Sequence, residues 1–369
     1  MNIAARWAIV LFAAACSRGS SSPAPSIVEV TPAPSVSAPE PSRERGPVTV
    51  LAGGDVELAR ATGQKILRDP SYDPFRRVAG WFSAADVRFV NLESTLSDQR
   101  GRTISPDNSL VFTGPPGGAD VLARAGVTVV STANNHAWDY GEKALIETLD
   151  NLDRVGIAHA GTSRSAGEAT KPAIVEAQGM RVAFVAFTAI WNQGPLATHV
   201  ARDRVAGADR ESMIAAVRDA RKGADVVLVS VHGGEEYVDT PLAGTRSLYR
   251  AVIDAGADGV LGHHAHVPQG LEIYRGKPVI YGFGNLVMHM HSDHSWTGFG
   301  MLARMTFAPG REPVLAACPY RIDDAEPVPL EGARLVTMAL EHLRTISRPA
   351  RLSFGEPDGG CFPVSTLAP

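Results

Sequence analysis

Cysteine is close to absent from this chain: Cys16, Cys318 and Cys361 are all there is in 369 residues. Three thiols so unevenly placed specify no framework by their spacing. A surplus of one charge is missing too, with 35 basic residues against 39 acidic ones and a formal charge of −4. No basic domain or Lys/Arg stripe stands out, which argues against nucleic acid as a partner. The apolar run near the N-terminus is too short to cross a bilayer as a stable helix. What is present is ordinary for a globular protein, 44% hydrophobic and 20% charged. The length suffices for a large core in one domain or two.

Residues 1–16 place one positive charge, Arg6, before that apolar run, which ends in small residues. This is the layout of a secretory signal peptide. Cys16 follows Ala13-Ala14-Ala15, with Leu11 upstream, and so resembles a bacterial lipobox, in which the cysteine is lipidated and becomes the mature N-terminus. An ordinary signal peptide with an incidental cysteine is the other reading. Residues 17–46 are dense in Ser, Pro, Ala and Glu without apolar periodicity, the composition of a disordered linker. At roughly 3 Å per residue, about 30 such residues reach ~90 Å. The expectation is an exported lipoprotein, anchored to a membrane by its lipid and facing the periplasm or the cell surface. Ser17 is not the aspartate that holds sorted lipoproteins at an inner membrane, so an outer-membrane anchor is implied where such a membrane exists. In that oxidising setting Cys318 and Cys361 either pair or remain free thiols.

The rest of the chain repeats apolar strand, polar end, helix. Val48 to Ala52 leads to Gly53-Gly54-Asp55, Val87 to Leu92 to Glu93, and Val127 to Thr132 to Asn134-Asn135-His136. Asp225 to Val231 leads to His232, and Ala257 to Leu261 to Gly262-His263-His264-Ala265-His266. Helices are predicted over 118–125, 142–155, 211–221, 248–255 and 333–347, with a further strand over 181–187. Leu271 to Ile273 and Val279 to Tyr281 are expected as a hairpin, and Val267-Pro268-Gln269-Gly270 as a loop. Neutral imidazole is the commonest metal ligand, and packed imidazoles repel unless they stay neutral. Asp139, three residues after His136, is placed to orient that ring. Each end also has a plain reading: Gly-Asp as a turn, Asn-Asn-His as a helix start capped by Asn. His289, His291 and His294 read as a solvated loop. Five strand ends bearing only metal-competent side chains nonetheless point to one site, because layered α/β folds build their sites at that sheet edge.

Gly54-Asp55, Asn91-Leu92-Glu93, Asn134-Asn135-His136-x-x-Asp139-Tyr140-Gly141, His232-x-Gly234-x-Glu236-Tyr237, Gly262-His263-His264-x-His266-Val267 and Gly284-Asn285 together resemble the CapA family. This is the poly-γ-glutamate capsule synthesis group of the calcineurin-like metallophosphoesterase superfamily. The resemblance implies a four-layer α/β/β/α sandwich over residues 47–310, followed by a C-terminal extension, 311–369, with a helix and a tail. It implies one or two divalent ions on Asp55, Glu93, Asn135, His232, His264 and His266; Mn²⁺, Fe or Zn²⁺ suit such mixed N/O ligands. His136, held by Asp139, would be the general acid, and Asn134, Glu236, Tyr237 and Asn285 would line the substrate pocket. Departures from the family pattern fall at Gly233, Ala265, Gly282-Phe283 and Glu57, the last standing where phosphoesterases carry a histidine. The function so implied is synthesis, export or attachment of an anionic capsule polymer, by hydrolysis of a phosphorylated or γ-glutamyl substrate. The alternative is a non-catalytic assembly factor that holds the polymer, or capsule export proteins, in the same pocket.

Overall fold

Alternating side chains divide the first strand of the folded region between two cores. In Val48–Val56, Val48, Val50 and Ala52 face one apolar cluster, whereas Leu51 and Val56 face another. The period of two that strand geometry imposes sets Leu51 opposite Val48, Val50 and Ala52, and beyond the register shift between Ala52 and Asp55, Val56 joins that second core. The computed structural model describes residues 44–290, 295–348 and 350–367, and its compact unit spans residues 43–369. The signal peptide, Cys16 and nearly all of the linker lie outside the described residues, as do His291 and His294.

Two sheets share the inner core. The first has ten strands, with Phe299–Phe307, Val48–Val56, Val87–Leu92, Val129–Ser131 and Ala158–Ala160 in consecutive order. The second runs Pro268–Tyr274, Lys277–Phe283, Gly259–His263, Val226–His232, Met180–Thr188, Ala173–Ala177. Between them Phe89 of the first sheet stacks on Phe184 of the second, ring centroids 5.2 Å apart. Each such buried ring contributes about 1.5–3 kcal/mol of burial free energy. Outside the first sheet, Ile66, Val121, Leu122 and Leu152 bring in three helices, Arg60–Arg68, Gly118–Arg124 and Gly141–Arg154. Outside the second, Met213, Val217, Tyr249 and Val252 bring in Arg210–Arg221 and Ala243–Asp254. The layering is therefore α/β/β/α. Among the described residues no helix is long and apolar enough to cross a membrane.

Four strands of the second sheet, 180–188, 226–232, 259–263 and 277–283, run parallel, as do 48–56, 87–92, 129–131 and 158–160 of the first. Parallel strands bury both faces, which accounts for runs as continuously apolar as Val226–His232. Parallel direction also sends the ends of the inner strands to a common edge.

Several expectations are corrected. The stretch 267–270 is not a loop, because Pro268 opens the edge strand Pro268–Tyr274, where a missing N–H costs no ladder bond. The turn of that hairpin, Arg275-Gly276, has both residues at positive φ (50° and 72°), the geometry that matches the twist of paired strands. Asn134 caps no helix: the next one begins at Gly141, after Tyr140 at φ 62°. The helix Arg60–Arg68 went unforeseen, since it has neither a side-chain cap nor an acidic first turn. Beyond residue 310, Val314–Asp323 and Phe362–Thr366 add strands to the first sheet, and Cys318 is joined to Cys361 by a disulfide. Helix Ala333–Ile346 sends Leu343 and Ile346 into the inner core.

Candidate metal centre

Asp55 ends the central strand of the first sheet, in register with Asn91 on one side and Asn285 on the other. Gly54 permits this crowding: a Cβ there would stand 1.9 Å from the Gly284 carbonyl oxygen. Asn91 Nδ2 donates to Asp55 Oδ1 at 2.8 Å, and the His264 N–H donates to Asp55 Oδ2 at 3.1 Å. The chain reaches that position by turning sharply out of Gly259–His263, with His264 and His266 both at positive φ (93° and 57°). Such backbone is costly in a non-glycine residue and persists where surrounding contacts impose it.

Two groups of ligand atoms converge here. Glu93, His232 and His264 form one, and Asp55, Glu93 and His266 the other, with the atoms of each lying within 4.8 Å of one another. Ligands ~2.0–2.3 Å from an ion stand at most ~4.6 Å apart, so the groups need little adjustment to hold one. Glu93 belongs to both. His232 Nε2 lies 3.5 Å from Glu93 Oε1 and 2.8 Å from Asn135 Oδ1. Asn135 in turn donates to Asn192 Oδ1 at 3.2 Å. All of Asp55, Glu93, Asn135, His232, His264 and His266 are thus gathered at one buried place.

The electrostatics fit a cation. Burial pushes the Glu93 carboxyl well up, and the charges of Asp55, Glu57 and Glu236 push it further. Burial would raise Asp55 as well, but the imidazole of His263 beside it, with those of His232 and His266, holds it well below the carboxylate range. Without an ion, burial and these neighbouring charges favour the protonated form of Glu93. Burial and the neighbouring His264 push His232 well down, and burial brings His264 to about 4, so both rings are neutral and able to ligate near pH 7. Glu93 Oε2 and His264 Nδ1 are buried with no hydrogen-bond partner among the described residues. An unpaired buried carboxylate oxygen and an unpaired buried imidazole nitrogen, on two residues of one ligand group, are what a bound ion would satisfy.

His136 stands beside the centre. Its Nδ1 lies 2.9 Å from Asp139 Oδ2, and its ring packs 4.1 Å from that of Phe112. Glu236 is exposed and Tyr237 half-buried on the loop after His232, with the Tyr237 ring 6.1 Å from that of His266. The other two pocket expectations are corrected, because Asn134 (1% exposed) and Asn285 (0%) reach no open surface. Asn134 Nδ2 donates to the Leu92 carbonyl at 2.8 Å, and its Oδ1 accepts the His136 N–H at 3.1 Å. Asn285 Oδ1 accepts from His266 Nδ1 at 2.8 Å, and that nitrogen also lies 3.8 Å from Asp55 Oδ2. Asn285 thus holds the His266 ring, and Asn134 holds the backbone of His136. Arg60 is a residue that sequence reasoning missed: it donates to Glu57 Oε2 at 2.8 Å and sits over the Phe112 ring at 4.0 Å. An arginine at the start of an uncapped helix leaves no pattern by which it could have been found.

A match to the family described as "Bacterial capsule synthesis protein PGA_cap" runs over residues 49–290. The capsule biosynthesis protein CapA of Bacillus anthracis is 27% identical over 305 residues, covering 80% of this chain and 72% of that protein. The PGA biosynthesis protein CapA of Bacillus subtilis is 32% identical over 246 residues, covering 66% of this chain and 63% of the relative. The chain therefore spans under two thirds of the Bacillus subtilis protein. A solved putative 5′-nucleotidase from Staphylococcus aureus superposes with a TM-score of 0.43 at 13% identity, covering 78% of this chain and 55% of that one. The layered fold stands on this chain's own two sheets. The family match takes in every residue of the buried cluster, from Asp55 to Asn285, and on that match the chain belongs to the bacterial capsule synthesis protein family PGA_cap.

Proposed function

We propose that this protein is a membrane-anchored capsule-polymer accessory protein whose buried cluster is a two-ion hydrolase centre. The observation that carries the hydrolase reading is Glu93, shared by both ligand groups as a bridging carboxylate would be. Divalent cations held there by Asp55, Glu93, Asn135, His232, His264 and His266 would supply Lewis-acid polarisation of a phosphoryl or carbonyl oxygen and activate water at neutral pH.

The chain's own residues supply the rest. Asp139 binds His136 Nδ1, fixing the ring so that Nε2 is the nitrogen left to give a proton to a leaving group. Phe112 packs against that ring and shields it from water. Asn285 and Asn134 hold His266 and His136 in place from behind. Poly-γ-glutamate or another anionic capsule polymer is the substrate class we propose, from the kinds of protein this chain is similar to. Lipid anchoring at Cys16 belongs to the same proposal. The Cys318–Cys361 disulfide supports export, since such bonds persist in oxidising compartments.

The test is elemental analysis of the purified full-length chain beside the double variant His264→Ala/His266→Ala, with turnover of phosphomonoester, phosphodiester and γ-glutamyl substrates. Bound metal that the double variant loses, and metal-dependent turnover, are expected. Metal content unchanged in the variant would overturn the centre. Metal without turnover on any substrate would leave the pocket a polymer-holding site.

A further inference from the structure

Asp55, Glu57 and Glu93 are buried carboxylates at the centre, a surrounding that does not by itself favour an acidic chain. Arg60 offsets this. Its Nη1 is given to Glu57, its Nη2 lies 3.3 Å from the Ser109 carbonyl, and it caps the ring that packs on His136. Next to it opens a cleft of about 490 Å³, lined by Arg60, Ala61, Gln64, Arg102, Thr103 and Ile104. The walls are fastened together. Gln64 Nε2 donates to the Gly101 carbonyl and to Thr103 Oγ1, Thr103 Oγ1 donates to the Arg60 carbonyl, and the Arg60 N–H donates to the Thr103 carbonyl. Helix Arg60–Arg68 begins in this cleft, and its N-cap, Ala59, offers no side-chain acceptor.

The second arginine is unengaged. Arg102 is exposed, and among the described residues its guanidinium has neither an ion pair nor a hydrogen bond. Arg102 shares the wall of this cleft with Arg60, whose guanidinium covers Phe112, the ring packed on His136. A guanidinium fork matches a carboxylate in two parallel hydrogen bonds, and an exposed one pays little desolvation to do so.

We propose that the Arg60–Arg102 cleft is an anion subsite that seats carboxylates of an acidic chain beside the metal centre, with both arginines as specificity-determining residues. It rests on the acidic-polymer reading above and is independent of whether the centre turns substrate over. The subsite lets a polyanion lie against an acidic centre that does not favour it unaided, and it fixes which stretch of the chain faces His136.

Binding alone tests it. The full-length chain, stripped with chelator, is titrated calorimetrically at low salt with a γ-glutamate oligomer and, separately, with inorganic tripolyphosphate. Arg102→Glu is expected to weaken oligomer binding tenfold or more, Arg60→Gln to weaken it severalfold, and Arg102→Lys to retain most of it. Arg218→Glu, the same charge change at an exposed site on helix Arg210–Arg221, is expected to stay within twofold. Because Arg102 is exposed, its variants fold whatever becomes of Arg60→Gln. Oligomer affinity unaltered by Arg102→Glu overturns the subsite. Tripolyphosphate bound more tightly than the oligomer, with the larger loss in Arg102→Glu, overturns the carboxylate assignment. Since the protein is metal-free throughout, failure of the hydrolase reading leaves this result untouched.

Discussion

His136 Nδ1 and Asp139 Oδ2 lie 2.9 Å apart inside a single turn, and the same oxygen accepts the Phe112 N–H at 2.9 Å. One carboxylate therefore sets both the ring and the aromatic that covers it. Asp139→Asn keeps the shape but removes the carboxylate that holds His136 Nδ1 and so fixes which ring nitrogen faces outward. Turnover is expected to fall ~10²-fold with KM nearly unchanged. Asp139→Ala also leaves the Phe112 N–H buried and unpaired, costing about 1–3 kcal/mol in urea unfolding. Asp139→Asn at the parent rate would remove His136 from the mechanism.

Glu93 is expected to be the most damaging single ligand to neutralise. Glu93→Gln should lower metal content at both groups, whereas His266→Ala leaves Glu93, His232 and His264 intact. Elemental analysis of the two variants side by side reads this directly. Equal metal loss from both would argue for one ion in place of two.

In the metal-free protein the contribution of His264 to pH-dependent stability has a definite sign, and the raised Glu93 carboxyl opposes it. The folded-state value of His264, about 4, lies below its ordinary 6.5. As pH falls past 6.5 the unfolded chain binds a proton that the folded chain refuses. This contribution is therefore complete above pH 6.5 and drains between there and about pH 4, by about 3 kcal/mol from this ring alone. His232 shifts the same way and adds to the loss. Urea unfolding of the parent and of His264→Gln at pH 7.5, 6, 5 and 4 measures it; the same profile in both would mean that the fold does not hold this ring neutral. Bound metal should be released in the same window.

The Cys318–Cys361 bond closes a loop with a sequence separation of 43 and ties strand Val314–Asp323 to the residue before strand Phe362–Thr366. Reduction, or Cys318→Ala with Cys361→Ala, is expected to cost about 3 kcal/mol through the freer unfolded chain. Melting with and without reductant checks this. Identical midpoints would show that the outer strands hold without the bond.

The ligands were legible in the sequence because each of the central ones terminates an apolar run, and parallel strands bring such ends to one edge. Val87–Leu92 before Glu93 and Val226–His232 show this plainly. What hid was whatever depends on contact between distant segments. Asn285 looks like a loop asparagine until His266, 19 residues away, proves to bind it. Arg60 looks like a surface charge until Phe112 and Glu57 meet it. Pro268 reads as a breaker because its neighbour in the sheet, Phe283, is remote in the chain. The closing strands of the first sheet were obscured by Gly and Pro, which suit edge strands as well as they suit a tail.

At Gly284 (φ 75°) the chain steps from one sheet into the other. Lys277–Phe283 belongs to the second sheet, and Asn285–Val287 pairs with Val48–Val56 of the first. This crossing stitches the two sheets together beside Asp55 and His266. Sliding or hinging between them would tear that stitch, so the turn carrying Arg102 and the loop carrying Glu236 and Tyr237 are the parts of the rim that can shift without breaking it.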